Sequence, residues 1–174
     1  MELKGESFLC TLATLMVTFA GFVALVLIVR QGAGARLSAL DRFITRTLVG
    51  HLFILTGGAL IPVLLNFYEI PEVLIWKVSA VTFGIPMLAI LLTYPRRRKA
   101  VYAKQAPPAV LLTFVGLASV SIAAMIAYVL GDFAHPAAAY LTALTVNFLT
   151  TAFGFWIALD FVVTKQTDVA PEGK

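Results

Sequence analysis

Four polar side chains, His51, Asn147, Thr151 and Asp160, occur within long apolar runs of this chain. An imidazole and a carboxylate can share a proton or form an ion pair, and in a low dielectric each shifts the proton affinity of the other. An amide and a hydroxyl can bridge helices or line a polar path. Asp160 closes the run TAFGFWIAL and precedes Lys165 by five residues, about 7.5 Å along a helix. His51 lies five residues beyond Arg46, which puts it at a depth matching that of Asp160. The two form a candidate gate on the cytoplasmic side. Asn147 is eleven residues from Pro136 and eighteen from Lys165, close to mid-membrane. An unpaired amide there is costly, so it must face protein or water. Asp160 sits roughly 140° around the helix from Asn147, which argues against a simple relay between them.

Each of these groups also has a plainer structural reading. His51 can bond a neighbouring carbonyl. Asn147, Thr151, Gly154 and Ala158 fall at helical spacing and can act as interhelical glue. Asp160 can snorkel to headgroup water or pair with the cluster Arg96, Arg97, Arg98 and Lys99, anchoring the last helix. Lys77 follows Glu72 by five residues and can reach Glu69, Glu72 or Asp132 in an outer-side ion pair.

These residues must be positioned by membrane-spanning helices. Of 174 residues, 60% are hydrophobic and 13% charged, and the mean hydropathy is +0.95. That leaves too little charge to coat a soluble core of this size. The run Phe8 to Val29 has 22 residues and rises about 33 Å as a helix, the thickness of a bilayer core. It is too long for a secretory leader and reads as a retained span. Further spans are expected over about 43–67, 71–94, 108–130 and 136–163, with a short polar tail over 166–174. Ser38 and Asp41 suit a capping box that starts the second helix ahead of its span. Pro71 suits a helix start. Pro86 lies inside the third span and withholds a donor from the Thr82 carbonyl. The run ILLTYPRRRK gives that span a sharp end. Trp76, Tyr68, Tyr94, Tyr128, Tyr140 and Trp156 read as interfacial belt residues.

Charge sets the orientation. The first connector holds Arg30, Arg36, Arg42 and Arg46 against Asp41, a net of +3. The third holds Arg96, Arg97, Arg98, Lys99 and Lys104, a net of +5. The second and fourth carry Glu69, Glu72 and Asp132. Positive-inside alternation of this kind requires five spans in one all-α integral membrane bundle over 1–165. It places the N-terminus outside and the C-terminus in the cytoplasm, as a multi-pass inner-membrane protein. The net charge of +4 is accounted for by topology and anionic headgroups at the cytoplasmic face, and nothing points to nucleic acid.

Catalytic and cofactor motifs are missing from the sequence. It has no HExxH, no phosphate-binding glycine loop and no GxSxG. His51 and His135 fall at opposite ends of the bundle, which excludes an intrachain bis-histidine haem. Cys10 is the one cysteine, so no intrachain disulfide forms. No cofactor or metal is expected, and an enzymatic activity is possible but unmotivated by any motif. Small-residue stripes recur: Thr11, Thr14, Thr18 and Gly21 on the first span; Thr47, His51, Gly58 and Pro62 on the second; Gly116, Ala123, Ala127 and Gly131 on the fourth. Such stripes mark packing faces. The expected function is a small structural or accessory subunit that packs through these faces against another membrane protein or itself. The alternative is a homo-oligomeric channel or small transporter, with a polar path near Asn147 and a gate at His51 and Asp160.

Overall fold

Backbone polar groups have no water to bond in hydrocarbon, so each apolar run closes its hydrogen bonds internally and becomes a helix. The computed structural model describes residue 3 and residues 5–32, 39–101, 108–131 and 135–167. Five helices follow in order: α1 (Glu6–Gly32), α2 (Ala39–Asn66), α3 (Glu72–Val101), α4 (Pro108–Leu130) and α5 (Pro136–Thr167). There is no strand among the described residues. Among the described residues, four segments are long and apolar enough to cross a membrane: Glu6–Val29, Thr45–Asn66, Glu72–Arg97 and Pro136–Ile157. The described apolar stretch of α4 is Gly116–Val129.

The chain reverses tightly where the sequence offers turn chemistry. After α2, the amides of Phe67, Tyr68 and Glu69 donate three residues back, to Leu64, Leu65 and Asn66. Glu69 then takes a left-handed φ of 55°, unusual for a residue with a side chain, and turns the chain towards Pro71. The Pro71 carbonyl accepts from Leu74 and Ile75, so the proline opens α3 as its type suggests. At the other terminus α2 begins at Ala39, one residue after Ser38.

Helices α2, α3, α4 and α5 form a ring in which each packs on the next and α5 returns to α2. Helix α1 lies outside the ring against α2 and touches α5. Its phenylalanines make edge contacts there, Phe19 with Phe148 and Phe155 at 6.0 and 5.3 Å, and Phe22 with Phe155 at 5.9 Å. These pairings make α1 and α5 parallel. The tight turn after Asn66 and the Phe43–Tyr94 ring contact make α2 and α3 antiparallel. One end of the bundle therefore collects Glu6, Glu69 and Glu72, and the other collects Arg42, Arg46, Arg96 and Arg97.

Two expectations need correction. Helix α3 does not stop at Tyr94 but runs through both Pro86 and Pro95 to Val101. A proline removes one bond to the residue four back, and a helix continues past that loss where the freed carbonyl finds other partners. Trp76, Tyr128 and Tyr140 are not belt residues. All three are buried, Trp76 with no exposed surface, whereas Tyr68 and Trp156 are exposed, Trp156 by 72%. Their distance from the helix ends resembled an interface position, but they face the ring interior. The small-residue stripes on α1 and α4 face outward in this bundle. Thr11, Thr14, Thr18 and Gly21 are exposed, as are Gly116, Ala123 and Ala127. The core faces are Leu9, Leu12, Met16 and Val23 on α1, and Ser121, Ile122, Met125 and Tyr128 on α4.

Candidate functional site

The buried polar side chains in the middle of α5, Asn147, Thr150 and Thr151, donate within their own helix. Asn147 donates its side-chain amide to the Ala143 carbonyl at 2.8 Å, and Thr151 its hydroxyl to Asn147 at 2.8 Å. Thr145 and Thr150 likewise donate four residues back, to Leu141 and Val146. Asn147, Thr150 and Thr151 are buried. A hydroxyl spent on its own backbone carries no desolvation cost and leaves no donor aimed across a pore. Replacing Thr151 by valine is therefore expected to change stability by less than about 1 kcal/mol, measured as urea or thermal unfolding in detergent micelles.

His51 is different. Its Nε2 is buried and has no hydrogen-bond partner among the described residues. Helix α2 packs on α5, as a His51–Asp160 pairing requires. The Asp160 side chain lies outside the described residues, as do those of Arg98 and Lys99. At the basic end, Arg96 and Arg97 are exposed. At the acidic end, Glu69 is exposed in the turn, and Lys77 is half-buried one turn past Glu72. Glu72 accepts a bond from the Trp76 indole at 3.2 Å and lies near enough to act electrostatically on the Tyr128 hydroxyl. With Leu3, Asn66, Ile70, Pro71 and Ile75, the two glutamates line an open cleft of about 320 Å³. No three of the described His, Cys, Asp and Glu residues come together as a metal site would require.

A polar contact between helices of the ring was not anticipated. The Tyr140 hydroxyl donates to the Gly58 carbonyl at 2.7 Å, fully buried. That carbonyl is available for a local reason. In an α-helix its donor would be the amide of residue 62, and residue 62 is proline. Tyr140 on α5 thus fills the vacancy that Pro62 creates on α2. Gly58 also lets the Phe83 ring approach so closely that a Cβ would fall 2.7 Å from Cδ2. The ring of Tyr140 is held between Trp76 and Phe83, with centroids at 5.5 and 6.3 Å. The spacing Gly58-x-x-x-Pro62 signals an orphan carbonyl, but no local feature names a donor 82 residues away.

No family model matches this chain, and no curated protein or solved structure matches it. What its polar groups can do follows from their bonding. Those of α5 are closed on themselves, Tyr140 is a structural bridge, and His51 alone among the candidates presents a buried nitrogen without a partner among the described residues.

Proposed function

We propose that this protein is a five-span inner-membrane subunit, with its N-terminus outside and its C-terminus in the cytoplasm, that packs against another membrane protein or a second copy of itself. The orientation draws support from the collection of arginines at one end of the bundle and glutamates at the other. The observation that carries the packing role is the outward direction of the small-residue faces on α1 and α4. The three threonines of the α1 face return their hydroxyls to their own helix at 2.8–2.9 Å, so that face is smooth and polar-satisfied. Neither Gly21 nor Gly116 is needed for the chain's own packing, since a Cβ at either meets nothing within 4 Å. Close helix approach by a partner uses such surfaces.

Native mass spectrometry of the complex extracted in mild detergent tests this reading. A heteromeric or dimeric mass is expected. Gly21→Leu and Gly116→Leu are expected to leave monomer unfolding within about 0.5 kcal/mol of the parent and to release the partner. A monomeric mass for the unaltered protein removes the reading.

The unpartnered His51 nitrogen favours a second reading, an oligomeric channel gated on the cytoplasmic side. In reconstituted vesicles, H51A and D160N then alter flux or its pH dependence. Unchanged flux in both removes these residues from any conduction mechanism.

A further inference from the structure

We infer that the basic end of the α2–α3 seam binds the headgroup of a phospholipid carrying two phosphates. The inference rests on the membrane-spanning reading but not on the identity of any protein partner. Phe43 and Tyr94 are in ring contact at 5.8 Å, which holds the first turns of α2 against the last turns of α3. Arginines some fifty positions apart in sequence are thereby brought to one edge of the bundle. Arg42 and Arg46 come from α2, Arg96 and Arg97 from α3, and all four are exposed.

Their levels follow from the helical rise. Relative to the aromatic pair, Arg46 lies about 4.5 Å towards the middle of the bundle, and Arg42, Arg96 and Arg97 lie about 1.5–4.5 Å towards the end. The apolar segments begin at Thr45 and finish at Arg97, so this ladder straddles the boundary of the hydrocarbon, at headgroup depth. The described carboxylates, Glu6, Glu69 and Glu72, are all at the opposite end. Asp41 and Asp160 belong to the basic end by sequence, and the connectors there carry +3, with Asp41 counted, and +5.

Guanidinium is suited to phosphate because its planar fork donates two parallel bonds. One phosphate can satisfy the arginines of one helix. The ladder extends over about 9 Å of helix rise and draws on two helices, a span that a headgroup with two phosphates can bridge. The surface beyond the arginines fits acyl chains. The face of α2 that bears Arg46 continues as Phe53 and Leu60, both exposed.

The test uses the full chain. Flotation with phosphatidylethanolamine vesicles first reads insertion, and failure to insert overturns the spanning reading and this site with it. Lipid binding is then read by native mass spectrometry and thermal unfolding with diphosphatidylglycerol, with phosphatidylglycerol at matched phosphate, and with inorganic pyrophosphate. Diphosphatidylglycerol is expected to survive as a one-to-one adduct and to raise the unfolding temperature more than the other two. R42Q/R46Q and R96Q/R97Q are each expected to weaken that adduct about thirtyfold, two guanidiniums' worth. K77Q, at the other end, is expected to leave it intact. Equal stabilisation by phosphatidylglycerol, a retained preference in either arginine pair variant, or equal binding of pyrophosphate overturns the site.

Discussion

Tyr140→Phe is expected to destabilise the bundle by about 1–3 kcal/mol, the cost of leaving a buried carbonyl without its donor. The ring stays and its contacts with Trp76 and Phe83 are kept, so the loss isolates the hydroxyl. The physical cause makes a sharper claim than the size of the effect. The Gly58 carbonyl needs Tyr140 because Pro62 has no amide to give it. Pro62→Ala restores that amide and lets α2 satisfy Gly58 by itself. Tyr140→Phe should then cost about 1 kcal/mol less in the Pro62→Ala background than in the parent. Reversible unfolding of the four proteins of this cycle, in one detergent and lipid composition, gives the coupling directly. Strict additivity would mean that the hydroxyl is not serving the vacancy left by the proline.

Gly58→Ala is expected to cost about 1–3 kcal/mol, and Gly58→Val to reach or exceed the upper end of that range. A Cβ at residue 58 would meet Phe83 at 2.7 Å from Cδ2 and 3.2 Å from Cγ. Phe83 is buried, and its ring also packs on Tyr140, so it has no free direction in which to retreat. The same added methyl at Gly57 meets nothing within 4 Å, and Gly57→Ala should raise stability by a few tenths of a kcal/mol through helix propensity. Comparing the two neighbours by thermal unfolding separates a packing requirement from a general intolerance of this stretch. In lipid, where apolar burial gives little drive for helix association, such close fits supply much of the cohesion between helices.

The placement of helices was legible from composition and length. Apolar runs, the proline at residue 71 and the serine at residue 38 marked starts that the helices keep within a few residues. Long uncharged segments have no option but helix in hydrocarbon, so local sequence decides the matter. The end of α3 was less legible. The run ILLTYPRRRK reads as a sharp end, yet the helix passes through its proline to Val101, because a single missing bond does not outweigh the turns on either side.

Which face of each helix turns inward was not legible. All five helices are apolar on every side, since lipid and protein interior are equally apolar surroundings. Periodicity therefore gives no direction, and the small-residue stripes on α1 and α4 did not by themselves say whether they meet the chain's own helices or a partner. The aromatic residues misled for a related reason. Trp76 and Tyr140 lie close to helix ends, where both a headgroup belt and a capped core are possible, and only their neighbours decide between the two. Asn147 was expected to face protein or water, and both it and Thr151 are buried, because an amide and a hydroxyl in hydrocarbon must be satisfied wherever they point. The sequence alone determined that this chain is helical, apolar and polarised in charge from one end to the other, since these depend on residue type and order. Only the tertiary structure decided that Tyr140 completes α2, that two sets of arginines share one edge, and that the small-residue faces remain open, since each depends on which helices are neighbours.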